Sequence, residues 1–404
     1  MTVFSALVGS YTAGSRGPAA RPNGSMALLQ IMIVAGEASG DRHAAELVAA
    51  IRRRLADARF FGMGGPMCQG QGVDLVYSSE EISVMGITEV VPKLPRIVKV
   101  MRGLERAAAR RQPACAILVD VPDFNLRLAR KLKRLGIPVV GYVSPMIWAW
   151  RSGRIEGIAE RVDEMICILP FEEQIYRRAG VRARYVGNPV LDAVPAAGEP
   201  ARFRSQLGLP LDRPTLALLP GSRPTEVKRM LPAMVGAAEQ LARGRPNLLV
   251  VVAVAPTIPP ELIVAAFAGS RLDKVLVTGK AAEVIGASDA AVVKSGTAVL
   301  EAALMERPFV VVYRVAPISY LVARLLLRVK YVSLVNLLLD RRAVPELLQG
   351  SMTPQAIAAE LERLWNPGPD RDELIASLRQ VRDKLAPKGA ASRAAEEIAS
   401  LVRV

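Results

Sequence analysis

Two acidic residues in this chain directly follow apolar runs, where they could perform acid–base chemistry on a bound substrate. Asp120 comes after the apolar run 114–119, and Glu37 comes after the run 28–35. His43 is the only histidine, so a catalytic triad, a histidine-ligated zinc site and a histidine base elsewhere in the chain are excluded. We therefore expect a carboxylate to act as the general base.

Asp120 is the predicted base, and Glu37 is expected to orient the acceptor or to assist. Asp123 is a further carboxylate, but Asp123 or Asn125 would also cap a helix predicted over 125–135, which explains the residue without chemistry. That explanation suits Asp120 less well. The sequence leaves the choice of base open among Asp120, Asp123 and Glu37.

Two glycine-containing turns predict a site for a phosphorylated nucleotide. Gly221-Ser222-Arg223 follows the apolar run 215–219, and Ser295-Gly296-Thr297 follows the run 290–293. Each turn precedes a predicted helix, whose first N–H groups attract anions, and Arg223 can add a bidentate contact. Glu301, one helical turn further on, could accept hydrogen bonds from ribose. Either turn alone also fits an ordinary strand-to-helix connection or cap, but the two together are more specific.

The elements that must position these residues alternate along the chain, which predicts a parallel α/β architecture. Ligands bind at the carboxyl ends of such strands, so half-sites in both halves of the chain imply two Rossmann-like domains with a deep cleft between them. The predicted strands are 28–35, 59–62, 114–119, 138–143, 164–168, 183–186, 215–219, 248–254, 274–277, 290–293 and 309–312. The main predicted helices of the first half are 41–55, 94–110 and 125–135.

The length and composition predict the domain boundaries. At 404 residues the chain is too long for one typical core. The expected parts are a disordered leader or an over-extended start at 1–26, a Rossmann-like acceptor and lipid domain at 27–193, a linker at 194–200, a Rossmann-like nucleotide-sugar domain at 201–353 and C-terminal helices at 354–404. Cys68, Cys115 and Cys167 show no metal-ligand spacing, and buried free thiols are expected for the latter two. No cofactor and no metal are expected.

A net charge of +15 calls for an acidic partner or surface. Aromatic residues make up only 5% and do not alternate with the basic ones, which favours lipid and phosphate over nucleic acid. Leu94, Ile97, Val98, Met101 and Leu104 recur at helical spacing among basic residues, and 319–338 is a second region of this kind. Such helices lie on anionic membranes, although a core-facing helix with a solvated basic rim fits nearly as well. No run reaches the ~20 apolar residues needed to span a bilayer.

Beyond these features, the chain resembles the lipid-A-disaccharide synthases, a family of inverting glycosyltransferases in the lipid A pathway. The most specific motifs are 120–125, which reads Asp-Val-Pro-Asp-Phe-Asn, and 148–151, which reads Trp-Ala-Trp-Arg. Two departures are the first 25 residues, which have no family counterpart, and Asn188-Pro189, which stands where some relatives have a histidine-containing pair. The other matching segments are 34–41, 84–90, 142–145, 169–172, 219–223, 295–301 and 331–338.

The resemblance implies a GT-B fold with the UDP-sugar in the C-terminal half and the acceptor in the N-terminal half. The implied donor is UDP-2,3-diacylglucosamine, and the implied acceptor is 2,3-diacylglucosamine 1-phosphate, or lipid X. The implied products are the β(1→6)-linked disaccharide 1-phosphate and UDP, formed with inversion and without a metal. The expected UDP-binding residues are Gly221, Ser222, Arg223, Glu226, Ser295, Gly296, Thr297, Glu301 and Asn336. The expected acceptor-binding residues are Ser39, Gly40, Asp123, Asn125, Ser144, Trp148 and Arg151.

Together these features predict a cytoplasmic enzyme that binds peripherally to the anionic cytoplasmic face of the inner membrane. Its expected partners are UDP-diacylglucosamine and lipid X but no nucleic acid, and a homodimer is left open. One rival interpretation is a UDP-N-acetylglucosamine 2-epimerase, a family that relies on histidines near its active site, which a chain with only His43 fits poorly. The other rival interpretation is a non-catalytic basic protein on the same scaffold that binds lipid or nucleic acid. The presence of Asp120, Arg223 and Glu301 argues against it.

Overall fold

The computed structural model describes residues 29–82, 87–144, 154–316 and 330–402, together with Tyr320. Within these ranges strands and helices alternate up to residue 348, and only helical elements follow. Every strand pairing is parallel. The parallel α/β architecture that the sequence predicts is therefore confirmed.

A first sheet contains seven parallel strands of the described chain. They are β1 (Gln30–Ala35), β2 (Arg59–Gly64), β3 (Asp74–Ser78), β4 (Cys115–Val119), β5 (Val139–Tyr142), β6 (Glu164–Cys167) and β7 (Arg182–Tyr185). The strands lie in the order β3-β2-β1-β4-β5-β6-β7, so the winding direction reverses between β1 and β4. Ligands of doubly wound sheets bind outside the strand ends at such a reversal.

Helices cover both faces of the first sheet. They are α1 (Ala38–Arg54), α2 (Pro66–Gly70), α3 (Ile87–Arg111), α4 (Pro122–Arg134), α5 (Arg154–Ala159), α6 (Pro170–Arg178) and α7 (Val190–Ala193). The buried side chains of α1 pack into one core, and those of α3 and α4 pack into a second core on the opposite face. The pattern explains why β4 is apolar throughout, since a parallel strand covered on both faces has no solvent-facing side.

A second sheet contains six parallel strands of the described chain in the order β10-β9-β8-β11-β12-β13. Its winding direction reverses between β8 and β11. The strands are β8 (Thr215–Leu219), β9 (Leu249–Val254), β10 (Asp273–Thr278), β11 (Ala290–Lys294), β12 (Phe309–Tyr313) and β13 (Glu346–Leu348). The helices are α8 (Pro200–Leu207), α9 (Pro224–Gly244), α10 (Pro260–Ala266), α11 (Ala281–Gly286), α12 (Ala298–Leu304), α13 (Leu334–Leu339), α14 (Pro354–Trp365) and α15 (Pro369–Leu385).

The last helix, α16 (Ala390–Val402), returns from the second sheet to the first. Its Ala394 and Ile398 belong to the same buried core as Ile33 of β1. Asp192 anchors the start of α16, because its carboxylate accepts hydrogen bonds from the backbone N–H groups of Gly389 and Ala390 at 2.7 and 3.0 Å. The first sheet is therefore completed by the far end of the chain.

The structure differs from the sequence prediction at a few elements. Strands β3 and β13 were not predicted: β3 is only partly buried, and β13 has three residues. Helix α4 begins at Pro122 rather than at Asn125. The predicted helices over 354–404 are confirmed as far as Val402. Cys115 and Cys167 are buried free thiols, as expected.

Helix length and hydropathy bear on membrane contact. Among the helices of the described residues, none is both long enough and apolar enough to cross a bilayer.

Candidate active site

The loops that follow β1 and β4 meet at the winding reversal of the first sheet. A Cβ atom built on Gly36 would lie 2.8 Å from Val121 Cγ2 and 2.9 Å from Ile82 Cδ1. Both distances are shorter than real Cβ contacts, so only glycine permits this approach. Gly36 thereby brings Glu37 next to the loop that carries Asp120.

Asp120 has an unusual backbone conformation. Its φ is +54°, and φ of Val121 is +39°, a left-handed region in which a β-branched residue is strained. Asn125 supports the turn, because its Nδ2 donates to the carbonyl oxygens of Val119 at 3.1 Å and of Asp120 at 2.6 Å. Asp120 therefore lies in a strained turn at the end of β4, and backbone outliers of this kind are concentrated at functional sites.

The surroundings of Asp120 oppose its ionisation on balance. Burial raises the pKa of the Asp120 carboxyl, and the nearby negative charge of Glu37 raises it further. The Val121 N–H, the charge of Arg223 and the Ser39 hydroxyl partly offset that rise in pKa by favouring the charged form. A base with a raised pKa accepts a proton more readily near neutral pH.

Arg223 and Glu37 join the two sheets across the cleft. Arg223 Nη2 donates to Glu37 Oε1 at 3.2 Å and to Oε2 at 3.0 Å. The side chains stay 53% and 43% exposed, so water screens the pair and its contribution to stability is small. What the pair establishes is proximity: a cation of the second sheet lies within reach of the carboxylates of the first.

The turn after β8 is shaped by Glu226. Gly221 has φ +116°, and a Cβ atom there would lie 2.6 Å from Glu226 Oε2. The same oxygen accepts the backbone N–H of Ser222 at 3.2 Å. Arg223 occupies the N-cap position of α9 in an extended conformation, which leaves its guanidinium free to cross the cleft.

The turn after β11 runs from Lys294 through Thr297 into α12. Ser295 Oγ donates to the carbonyl oxygen of Val332 at 3.0 Å, and Thr297 precedes the helix without making a side-chain cap. Glu301 follows inside α12. Burial raises the pKa of its carboxyl, and the positive charge of Arg42 from α1 offsets part of that rise. Besides Glu37, Arg42 is therefore a second charged residue of the first sheet that lies near the turns predicted to bind the nucleotide.

The structure brings most of the predicted residues to one region, the facing strand ends of the two sheets. Glu37, Ser39, Gly40 and Asp120 lie on the first sheet's side, where a Cβ on Gly40 would be only 3.4 Å from Asp120 Cβ. The predicted residues on the other side are Gly221, Ser222, Arg223, Ser295, Gly296, Thr297 and Glu301. Trp148 and Arg151 lie outside the described residues.

Two predicted contact residues are buried and bond to protein groups in this structure. Ser144 donates its hydroxyl hydrogen to the hydroxyl of Tyr176 at 2.9 Å, and its contact with an acceptor stays a prediction. Asn336 is 0% exposed. Its Nδ2 donates to Val344 O and Glu346 Oε1, and its Oδ1 accepts the N–H groups of Ala343 and Val344. Asn336 thus holds the loop between α13 and β13, and its contact with UDP stays a prediction.

The structure also places Asn125, Asp123 and Glu226. Asn125 is buried within α4 and fastens the Asp120 turn, and its contact with an acceptor stays a prediction. Neither Asp123 nor Asn125 is a helix cap, because the N-cap residue of α4 is Val121 and it makes no side-chain cap. Asp123 is exposed in the first turn of that helix. Glu226 lies against the Gly221 turn and pairs with Lys294 at 2.8 Å, so its contacts are with protein groups.

Sequence reasoning missed two acids that fix the loops around the site. Asp41 is buried and accepts three backbone N–H groups, from Gly65 at 2.7 Å, Met67 at 2.9 Å and Cys68 at 3.1 Å. Glu346 accepts the N–H groups of Val332 and Ser333. Asp41 could have been recognised, because it lies in the glycine-containing motif after β1. The sequence around Glu346 gives no indication of its role.

Acidic, histidine and cysteine side chains are the protein groups that could ligate a metal ion. The described ranges contain no group of three such residues placed to hold one. His43 is largely enclosed, and none of the described residues hydrogen-bonds to its Nδ1. Burial, together with the nearby charge of Arg42, lowers the pKa of its imidazole to about 4.

Comparison with known sequences identifies similar proteins along nearly the whole chain. A family model described as LpxB, lipid-A-disaccharide synthetase, matches residues 31–399. The chain is 60% identical to a lipid-A-disaccharide synthase of Myxococcus xanthus, over 92% of this chain and 97% of the relative. It is 52% identical to one of Anaeromyxobacter dehalogenans, over 93% and 98%.

Solved structures with similar folds are far more distant in sequence. MurG of Acinetobacter baumannii superposes with a TM-score of 0.56 and 16% identity, covering 92% of this chain and 99% of that one. A putative UDP-N-acetylglucosamine 2-epimerase from Listeria monocytogenes gives a TM-score of 0.64 and 13% identity, covering 93% and 96%. At such low identity the likeness shows the fold alone, and that fold is the GT-B arrangement of two facing α/β sheets.

Proposed function

This chain belongs to the lipid-A-disaccharide synthase family, and we propose that it uses Asp120 to join two acylated glucosamine units. It is a glycosyltransferase that forms the lipid A disaccharide. In the proposal, UDP-2,3-diacylglucosamine is the donor and 2,3-diacylglucosamine 1-phosphate is the acceptor. The products are the β(1→6)-linked disaccharide 1-phosphate and UDP.

The observation that carries the proposal is the ion pair of Arg223 with Glu37 across the cleft, which brings Arg223 close enough for its charge to act on Asp120. Asp120 is a carboxylate with a raised pKa at the end of one sheet, and Arg223 belongs to the phosphate-type turn of the other. A glycosyl transfer needs a base on the acceptor side and positive charge on the nucleotide side. The two sheets each supply one of them.

The proposed chemistry requires one proton transfer and one displacement. Asp120 takes the proton of the acceptor 6-hydroxyl as that oxygen attacks the anomeric carbon of the donor. The new carbon–oxygen bond forms on the face opposite UDP, and the bond to the diphosphate oxygen breaks with its electron pair. One carboxylate suffices for this inversion, because no covalent enzyme intermediate forms.

The charge that develops on the leaving diphosphate is met by Arg223 and by backbone N–H groups of the turns after β8 and β11. Preorganised donors of this kind stabilise a growing negative charge without reorganising. We propose that this set makes a divalent metal unnecessary. The guanidinium of Arg223 must exchange Glu37 for the diphosphate, because Glu37 holds it in this structure.

Incubation of the protein with both lipid substrates, with UDP release and the disaccharide followed by mass spectrometry, tests the proposal. A positioned base contributes about 10²–10⁴-fold to the rate, so we expect Asp120→Asn to lower kcat by that factor while UDP affinity is kept. Full activity of Asp120→Asn, with Asp123→Asn or Glu37→Gln inactive, would show that the base is another residue. Loss of wild-type activity in EDTA, restored by Mg²⁺, would contradict the metal-free route.

An epimerase is the alternative with a structural likeness, since a 2-epimerase shares this fold at 13% identity. The likeness shows only the fold, whereas relatives at 60% and 52% identity over nearly the whole chain are disaccharide synthases. The single histidine of the chain is also a weak base, because burial and the charge of Arg42 lower the pKa of its imidazole to about 4. The transferase is therefore favoured.

We further propose that α3 holds the protein on an anionic membrane surface, the cytoplasmic face of the inner membrane. Leu94 and Val98 are 48% and 40% exposed, next to the exposed cations Lys99 and Arg102. Further along, Leu104 is buried in the core, so Leu94 and Val98 are the large apolar side chains that α3 exposes among its described residues. Residue 319 and the segment 321–329 of the second predicted region lie outside the described residues. Self-association as a homodimer stays a prediction, which sedimentation equilibrium would test.

A further inference from the structure

Lys294 places an ammonium group between the two turns of the second sheet. Its Nζ lies 2.8 Å from Glu226 Oε1 and 5.5 Å from the ring centroid of Tyr313. A Cβ atom built on Gly296 would be 3.6 Å from the same Nζ. The lysine side chain is only 18% exposed, so its charge acts in a poorly solvated place.

Glu226 connects that ammonium with the other turn. One carboxylate oxygen pairs with Lys294, and the second accepts the N–H of Ser222 and packs against Gly221. Glu226 is 16% exposed, so both partners are held in place rather than moving freely in water. Pairing in register along β8 and β11, where Leu219 lies beside Val293, puts the two turns next to each other.

We propose that Lys294 binds the terminal phosphate of the nucleotide and that Glu226 is the positioning residue that holds the ammonium for this contact. The inference deepens the proposed function and rests on it, because it assumes that a diphosphate lies between these turns. An ammonium has three donors. Glu226 takes one of them and the ring of Tyr313 faces the cation, so a donor remains for a phosphate oxygen beside Gly296.

In this proposal Arg223 and Lys294 bind the diphosphate in different ways. Arg223 is exposed and paired with Glu37 of the other sheet, so its contact with a diphosphate depends on how the two sheets approach. Lys294 is anchored wholly within the second sheet. It can therefore bind the nucleotide's terminal phosphate before the acceptor arrives and neutralise the charge that grows there as the glycosidic bond to UDP breaks.

Calorimetric binding of UDP and UMP to the full-length protein and its variants tests the inference. UMP lacks the terminal phosphate, so the ratio of the two affinities isolates that contact. We expect Lys294→Met to weaken UDP binding about 10- to 100-fold, as for loss of a charge-assisted hydrogen bond, and to leave UMP affinity near the wild-type value. Lys294→Arg should keep most of the preference for UDP, and Glu226→Gln should lose part of it.

Lys228→Met is the matched control, because Lys228 is an exposed lysine on α9, close to Glu226 in sequence. It should leave both affinities unchanged. An unaltered preference for UDP in Lys294→Met, or an equal loss of UDP and UMP affinity with a lower Tm, would overturn the inference by showing a structural role. If the wild type itself binds neither nucleotide, the proposed function fails as well, which distinguishes the two cases.

Discussion

At the scale of single residues, the chemistry depends on how one carboxyl group is held. Asp120 combines a left-handed backbone, a hydrogen bond from Ser39 and the nearby negative charge of Glu37. The sequence could place Asp120 at a strand end. It could not reveal the backbone strain, because φ depends on how Asn125 and the neighbouring loop close over the turn.

Glu37→Gln is expected to shift the pH dependence of the reaction. Burial and Glu37 raise the pKa of Asp120, and a base must be ionised to accept a proton, so activity falls as the pH drops through that pKa. Removing the charge of Glu37 lowers the pKa of Asp120. The acid limb of the profile of kcat/KM, which reports the free enzyme, should therefore move to lower pH.

Glu80→Gln is the control for that experiment, since Glu80 is an exposed acid beyond β3, and its profile should match the wild type. An acid limb that stays in place in Glu37→Gln, or moves to higher pH, would contradict the assigned coupling between the two carboxylates.

Arg223→Ala should weaken UDP binding. A charge-assisted contact is worth roughly 1.5–3 kcal/mol, and the exposure of Arg223 favours the lower end of that range. The measurement is calorimetry with UDP, and Arg243→Ala, an exposed arginine at the opposite end of the same helix, is the control. UDP affinity that is equal in Arg223→Ala and the wild type would remove Arg223 from the nucleotide site.

Ser144 and Asn336 show why site residues are hard to assign from motifs. Both belong to motifs of the family, yet their side chains are buried and hydrogen-bonded to protein groups. A motif reports that a residue type matters at a position. It does not distinguish a residue that touches a ligand from one that shapes the loop beside it, because both leave the same sequence pattern.

At the scale of elements, Asp41 couples α1 to the turn that begins α2. Asp41→Ala would leave three backbone N–H groups without their acceptor in a buried place. We expect the free energy of unfolding to fall by about 3 kcal/mol. Urea unfolding measures it, with the exposed Asp57→Ala as control. A loss no larger than that of the control would mean that water replaces the carboxylate.

Helix α3 carries the prediction of membrane binding. The double change Lys99→Gln with Arg102→Gln should reduce binding to anionic vesicles at low salt, by about 1 kcal/mol per charge. Leu94→Ser with Val98→Ser should reduce it further at any salt concentration. Sedimentation with vesicles of phosphatidylglycerol provides the measurement.

The matched control for α3 is Arg271→Gln with Lys280→Gln, which removes two exposed charges from the second sheet's side. Vesicle binding that does not respond to salt or to lipid charge would indicate a purely hydrophobic attachment. No binding by the wild type would rule out the membrane proposal.

Most strands could be predicted from apolar runs, because buried parallel strands are apolar on both faces. Edge strand β3 escaped prediction since its side chains are half-buried and mixed in polarity. The start of α4 was predicted three residues late because Asp123 or Asn125 was expected to cap the helix, whereas Pro122 already lies in its first turn, where proline is favoured.

At the scale of the whole molecule, the sequence predicts two sheets whose strand ends carry complementary chemistry, and the strand orders put both predicted half-sites at winding reversals. The ion pair of Glu37 with Arg223 lay beyond prediction, since 186 positions separate the two residues. The packing of α16 against the first sheet also lay beyond prediction. An amphipathic pattern shows that one face of a helix is buried, but it does not show against which sheet that face packs.

The return of α16 to the first sheet makes the second sheet an insertion in the order of synthesis. A ribosome releases β1 and α1 early, but the helix that packs against them is made only after α8 to α15, and about 340 residues separate the end of α1 from the start of α16. At typical translation speeds of about 5–20 residues per second, the face of α1 that α16 covers stays uncovered for roughly 17–67 s. Nascent chains of this protein should therefore engage chaperones until the last helix leaves the exit tunnel.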